Sequence, residues 1–478
     1  MALPGDSLIW ALVSTSVAII ALLLRLVQRY LALRHIPGPR LAAWSDLWLF
    51  KQRCQYGPLV RYGPKRVLFS DPTYITTVYG TTKVYDKAPY YNVPVVKING
   101  KLTRSFATIR DEKLMTAIKR QIAFAFSTTS MRDFESHVDL TVENFMSKLR
   151  RKEGVVDLVP MFAFYAFDSI CRLAFSDALG KQSEAEAVMK GAKERFKYWF
   201  RWGALPETEE LLFKNRFIKG VGTPNALGQL AQGRFADRLE KGGAGVHHDL
   251  LDRLFQAQKA DPSTFNPALM IGISISMIHA GSETTGHTLA NVFWELLKNP
   301  QHYQRLVSEV RGASWSSPPT LAEARRFPFI EACVKEAGRM HNLFADPLER
   351  VVPASGLQIG DTFLPGGTII AANTRALSFN TSIFGADAHQ FNPERFLNAS
   401  PTQLATMERT NFHFSQGKRN CIGMNIAWME MLKLIPAIVK EFDIELANPY
   451  AVREEDTWVM NYTRDLHVKL SPLDGKTG

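Results

Sequence analysis

Cysteine is scarce in this chain of 478 residues. The four present, Cys54, Cys171, Cys333 and Cys421, lie far apart and form no CxxC pair. That excludes a disulfide framework and the common zinc modules, and fits a reducing compartment. Internal repeats, low-complexity tracts and long Gly/Ser linkers are also missing. With 46% hydrophobic and 22% charged residues, the chain is neither disordered nor fibrous. No regular strand–helix alternation supports a doubly wound sheet. Acidic excess is absent as well, since the net charge is +11. That balance favours an anionic partner, whether an acidic protein, a lipid surface or nucleic acid. No zinc module or basic helix supports the last of these.

One long hydrophobic run is present. Ser7 to Leu24 carries no formal charge and is rich in Leu, Ile, Val and Ala. As a helix it would span about 27 Å, close to the hydrocarbon thickness. Asp6 is the only charge before it, whereas Arg25, Arg29, Arg34 and Arg40 follow with no acid among them. Positive charge stays on the cytoplasmic side, so the body should face the cytosol. A cleaved signal peptide would need a basic start and a small-residue cleavage site, and neither is evident. The expected organisation is a membrane anchor with a basic flank over 1–34, crossing at about 7–24, and one body over 35–478. The sequons at Asn380, Asn398 and Asn461 are then chance matches, since a cytosolic body is not glycosylated.

Helix dominates the body, with minor sheet. Residues 41–80 suggest short strands and helices. The stretch 86–113 reads as a long irregular loop. Helical patterns cover 112–151 and most of 161–197, while 201–250 is the least readable part. A long apolar helix is expected over 267–297, interrupted by a small-polar patch at Ala280–Gly286, and another over 327–339. Residues 351–374 look like paired strands turned at Pro365-Gly366-Gly367. The last strong helix runs from about 423 to 442 and should kink at Pro436.

The segment from Phe414 to Gly423 carries the most information. Cys421 stands just before that last helix, and a helix N-terminus lowers a thiol pKa. Gly417 and Gly423 let the backbone approach a flat ligand, and Arg419 can pair with a carboxylate. Such a thiolate suits a soft or borderline metal. Cys54, Cys171 and Cys333 read instead as inert core cysteines.

The same segment resembles F-x-x-G-x-R-x-C-x-G, the signature of the haem-thiolate monooxygenases, the cytochrome P-450 family. Phe414, Gly417, Arg419, Cys421 and Gly423 match all five specified positions. The likeness runs from about Pro37 to the C-terminus, sharper after residue 265. It implies a cytochrome P-450 fold: mainly α with small β-sheets, haem b between two long helices, and one transmembrane helix ahead of it. The texture is similar to microsomal and filamentous-fungal secondary-metabolism members. By this resemblance Cys421 is the axial iron ligand, and Phe414 packs beside it. A thiolate ligand donates electron density that favours O–O cleavage.

Ala280-Gly281-Ser282-Glu283-Thr284-Thr285 resembles the family's oxygen-activation patch. Thr284, four residues after Ala280, can bond the carbonyl at 280, and Gly281 tolerates the resulting distortion. Thr284 would then hold the distal proton donor, and Glu283 would admit protons from solvent. The bland alternative is an ordinary polar helix face. Glu336-Ala337-Gly338-Arg339 resembles the family's E-x-x-R, and Pro393-Glu394-Arg395-Phe396 its later PERF element. Glu336, Arg339 and Arg395 are thereby expected as a buried triad behind the haem. Arg419 and Arg350 are candidate propionate partners. The family's W/H-x-x-x-R is here Met115-Thr116-Ala117-Ile118-Lys119, so Lys119 or the neighbouring Arg120 is a weaker third.

The resemblance further implies dioxygen as co-substrate and NADPH-derived electrons through a flavoprotein reductase, with cytochrome b5 a further candidate donor. It implies a single-pass protein of the endoplasmic reticulum membrane. Pocket candidates are the loop 86–113, Ser276, Ala280 and His341 to Leu348, largely apolar or aromatic, as expected for a lipophilic small molecule. Asp346 either points inward as an unusual acid or is solvated in a turn. Two rival readings keep the fold: an isomerase or dehydratase working without external electrons, and a non-catalytic haem-binding protein. The intact Glu283–Thr284 pair argues against both.

Overall fold

The computed structural model describes residues 58–473 apart from 83–84, 99–100, 178–181, 216, 219–224 and 246, together with single helical positions at Ser16, Val17, Ile20 and Val27. The expected anchor over 7–24 lies outside the described residues but for three of these positions, and Cys54 lies outside them entirely. Among the described residues one helix, Leu158–Phe175, is long and apolar enough to cross a membrane, and it is mostly buried inside the protein.

The chain divides into two compact units. The first comprises residues up to Ala88 and Pro347–Leu377. Its four-stranded sheet has the order Leu59–Gly63, Arg66–Phe69, Ile369–Ala372, Arg350–Val351. The central pair is parallel and the outer pairs antiparallel. Tyr62, Leu68 and Ala371 form its small apolar cluster. Behind the sheet Glu349 accepts from the Tyr62 hydroxyl at 2.8 Å and faces Arg66 at 3.2 Å. The paired strands expected over 351–374 exist, but as two pairs. Leu357–Ile359 turns back on Thr362–Leu364 around Gly360, and Pro365–Gly367 connects onward to Ile369–Ala372.

The second unit, Pro89–Asp346 and Ser378–Gly478, carries the main core. Its principal helices are α1 (Glu112–Ile122), α2 (Met131–Arg150), α3 (Leu158–Phe175), α4 (Gln182–Gly203), α5 (Pro206–Phe213), α6 (Asn225–Glu240), α7 (Leu250–Ala260), α8 (Pro267–Lys298), α9 (Pro300–Arg311), α10 (Pro328–Met340) and α11 (Met424–Glu441). A three-stranded antiparallel sheet joins Phe442–Leu446, His467–Pro472 and Val155–Asp157. Asp157 caps α3 at the Val159 N–H and also accepts the Leu466 N–H, locking sheet to helix. α8 starts at the Asn266 cap, with Pro267 in its first turn.

α3 and α8 pack unusually closely because α8 presents glycine at the contact. A Cβ at Gly281 would stand 2.6 Å from Ile170 Cγ1, and one at Gly286 2.9 Å from the Ala163 backbone. Gly281 is therefore required for helix packing. The helix runs as α throughout the patch, without the distortion expected at Gly281.

Several boundaries differ from the sequence reading. The helical pattern over 112–151 breaks at Ala123–Phe126, where a 3-10 turn forms and the Ser130 hydroxyl takes the Phe124 carbonyl. Small hydroxyl side chains there compete with the helix for backbone groups. The supposed loop over 86–113 contains a 3-10 turn at Pro89–Asn92 and a hairpin pairing Val96–Ile98 with Lys101–Thr103. Asn99-Gly100 between those strands is a strong hairpin dipeptide. The opaque 201–250 region holds α5 and α6. Pro436 lies inside α11, which continues through it.

Candidate functional site

The cysteine loop is a tight backbone construction. The Cys421 N–H donates to the Phe414 carbonyl at 2.9 Å, and Asn420 N–H to the Gly417 carbonyl at 3.0 Å. Gly417 has φ +65°, a left-handed conformation that suits glycine, and Ser415 shares that region at +60°. Phe414 packs against the core, with its ring 4.4 Å from His413 and 5.9 Å from Trp428. Gly423 ends the loop and caps α11.

α1 is fastened to this loop at two points. Lys119 Nζ donates to the Lys418 carbonyl at 2.6 Å, and Arg419 Nε bonds Glu112 Oε1. Arg120 is exposed, and of the two candidates it is Lys119 that bonds the cysteine loop. Burial, with Arg419 nearby, holds the Lys119 pKa below its ordinary value. Arg350 belongs to the first unit. There its guanidinium stands 5.0 Å over the Tyr79 ring, and Nη1 donates to the Glu349 carbonyl at 3.0 Å.

Cys421 lies deep in the protein yet keeps open surface. Burial pushes that thiol up, while the Gly423 backbone N–H and Lys119 pull it down without prevailing. The lowering expected from the helix N-terminus is thus outweighed by desolvation. Cys171 and Cys333 are buried thiols raised further by burial, which fits inert core cysteines.

The small-polar patch lies on α8. Ala280 is exposed although Ile278 and Ser282 beside it are buried, so that helix face also meets open space. The Thr284 hydroxyl donates to the Ala280 carbonyl at 2.6 Å. Glu283 is buried, and burial raises its pKa to about 7 against the opposing pull of Tyr462 and Lys193. Thr285 turns the other way and donates to Glu430 Oε2 on α11 at 3.0 Å. Burial also raises Glu430 to about 7, with Thr285 and Ser169 pulling it down. Sequence reasoning missed Glu430. Its signal was an acid inside the apolar run of α11, nine residues past Cys421.

Glu336, Arg339 and Arg395 meet as a buried cluster. Arg339 forks onto Glu336 through Nε–Oε2 and Nη2–Oε1, both at 2.7 Å, and Arg395 Nε reaches Glu336 Oε1 at 3.0 Å. Arg339 Nη1 also takes the carbonyls of Ser378 and Ala388. Gly338 leaves room for the His413 ring, whose nearest atom a Cβ would meet at 2.5 Å, so α10 sits directly on the cysteine loop. Asp346 is half-buried and accepts from the Tyr90 hydroxyl at 2.8 Å, which makes it a fixed acid.

These residues fit a haem. Cys421 and Ala280 both present open surface, and a Cβ placed on Gly423 would meet nothing within 4 Å. One deep thiol beside a small-residue cradle and the cation Lys119 is a donor set for a flat, anionic, iron-bearing ring. Among the described residues no three His, Cys, Asp or Glu side chains converge on another metal position.

A mainly helical body with small sheets, a cysteine loop and a small-polar patch on its longest helix defines the class of fold. The chain belongs to the cytochrome P450 family, whose family model matches residues 43–470. It is 31% identical to a cytochrome P450 monooxygenase of Aspergillus terreus over 468 residues, covering 91% of this chain and 94% of that protein. It is 32% identical to the cytochrome P450 monooxygenase cicH of Emericella nidulans, covering 94% and 95%. It is also 30% identical to the cytochrome P450 monooxygenase mpaDE of Penicillium roqueforti, covering 94% of this chain and 56% of that longer protein. The protein is an enzyme of this family, a monooxygenase.

Proposed function

We propose that the protein is a membrane-anchored haem-thiolate monooxygenase that oxidises a lipophilic metabolite in a secondary-metabolic route. The observation that carries the reading is the Cys421 loop: a deep cysteine that keeps open surface, its backbone N–H fixed by the Phe414 carbonyl. Cys421 Sγ would take the iron, and binding a metal cation deprotonates the raised thiol outright. Phe414 packs beside the ligand. The glycines at 417 and 423 let the loop approach the ring, and Lys119 and Arg419 bring positive charge toward its carboxylates, with Glu112 fixing the Arg419 guanidinium. Haem bound there supplies reductive activation of dioxygen. On α8 Thr284 would hold a proton donor with its hydroxyl, and Glu283 would take up and pass on protons. The Glu336–Arg339–Arg395 cluster keeps α10 rigid behind the loop.

Aromatic stacking supports a lipophilic substrate. Trp199, Phe196 and His279 stack in series beside Ala280, with centroids 6.2 and 4.3 Å apart, and Tyr90 joins them at 5.0 Å from Trp199. The net charge of +11, with Lys418 on the cysteine loop, suits an acidic flavoprotein reductase that delivers NADPH-derived electrons. The hydrophobic run over 7–24 suits a single-pass anchor in the endoplasmic reticulum. Deleting residues 1–34 should release the protein from membranes.

Reconstitution with reductase and NADPH tests the reading. Turnover that stops when either is withheld supports it. Turnover of the same substrate without electrons would favour the isomerase or dehydratase reading.

A further inference from the structure

Three buried polar atoms without a hydrogen-bond partner gather at one place beside α8: Glu283 Oε2, His287 Nδ1 and the Tyr462 hydroxyl. Glu283 and His287 are one helical turn apart. Tyr462, from the strand Asn461–Thr463, sets its ring edge-on to His287 at 5.0 Å. Its hydroxyl faces Glu283 closely enough for each group to shift the other's pKa, although no direct bond of normal geometry closes. A tyrosine that only filled space here would be better as phenylalanine, because a buried unpaired hydroxyl costs about 1–3 kcal/mol.

Beyond Tyr462 the polar line continues outward. Lys193 on α4 stands 5.3 Å over the Tyr462 ring and 5.2 Å over Trp458, and it pairs with Asp456 at 3.4 Å. Arg464 holds Asp456 from the far side at 2.9 Å. The side chains of Lys193 and Asp456 are 38% and 26% exposed, so this end reaches solvent. The groups facing Glu283 and Tyr462 are thus Lys193 from α4, Asp456 behind it and His287 on α8. His287 is held neutral by burial, with Lys193 and Arg453 adding to the effect.

We infer that Tyr462 is the positioning residue through which solvent protons reach Glu283, with Lys193 and Asp456 forming the outer end of the route. The inference rests on the monooxygenase reading. There each turnover joins one oxygen atom of dioxygen to substrate and reduces the other to water, using two electrons from NADPH and two protons from solvent. The Tyr462 hydroxyl gives a proton to Glu283 Oε2 and takes another at the same oxygen from the Lys193 side, so it ends unchanged. Its own pKa is raised by burial and by Glu283, which keeps the hydroxyl protonated between transfers.

Infrared difference spectroscopy on the full-length holoprotein tests this. The carboxylic C=O band of Glu283 is the one that Glu283→Gln removes. Tyr462→Phe and Lys193→Met each delete a group that favours the Glu283 anion, so both should move the band's pH midpoint upward from about 7. In both variants the solvent isotope effect on reductase-driven turnover should rise, and product per NADPH should fall roughly threefold or more. If Tyr462→Phe fails to fold, Lys193→Met, altered at a partly exposed position, still decides. An unmoved midpoint and an unchanged isotope effect would overturn the route. A protein lacking the thiolate-type carbon monoxide band would instead defeat the monooxygenase reading, and the infrared midpoints would still report on Tyr462.

Discussion

The Thr285 hydroxyl donates to Glu430 Oε2 at 3.0 Å and so joins the helix carrying the small-polar patch to the helix that follows the cysteine loop. The two halves of the proposed site are therefore held in register by a buried carboxyl whose pKa burial raises to about 7.

That carboxyl has a stability signature. Folded, it titrates at about 7, and unfolded near the model-peptide value of about 4.3. Between those values the folded state holds the extra proton, so stability falls as pH rises through the window. The loss is on the order of 3 kcal/mol for one such group. Glu430→Gln keeps the bond from Thr285 and cannot ionise. Denaturant melts should show the variant more stable than wild type at pH 8 and no better at pH 5. Glu283 adds a second contribution of the same sign, which the variant retains.

Arg339→Lys should be strongly destabilising despite keeping the charge. Lysine cannot fork onto Glu336 while also satisfying the carbonyls of Ser378 and Ala388. The buried carboxylate is left under-paired, at a cost of about 3–5 kcal/mol. Urea denaturation should show the loss, together with haem release on gel filtration.

Gly281→Ala should destabilise by about 1–3 kcal/mol through overpacking against Ile170. Adding Ile170→Ala should give a double mutant less destabilised than the two single changes summed. Strict additivity in a double-mutant cycle would mean that α3 and α8 do not touch at this point.

Thr284→Ala should keep haem and its spectrum yet divert reducing equivalents to peroxide, lowering product per NADPH by about tenfold or more. Stoichiometry of NADPH, peroxide and product checks this.

The site was legible in the sequence where chemistry demands particular residues at short spacing. The cysteine loop, the Ala280–Thr285 patch and the Glu336–Arg339 pair are all local patterns. What stayed hidden depends on contacts between distant segments. Tyr462 lies well over a hundred residues from Glu283, and Glu430 meets Thr285 only because two helices pack. The 201–250 region was opaque for a related reason. Glu209 and Lys214 form a buried pair there at 2.6 Å, so charge in this region does not mark the solvent face. The Cys421 thiol misled in the same way, because the helix N-terminus is visible in sequence and the burial that outweighs it is not.

The most direct test of the account is the carbon monoxide difference spectrum of the reduced, purified protein. With haem ligated by the Cys421 thiolate, the Soret band should be strongly red-shifted, and Cys421→Ala should abolish that band. An unshifted, histidine-like band in native protein, or a red-shifted band that survives Cys421→Ala, would contradict the account.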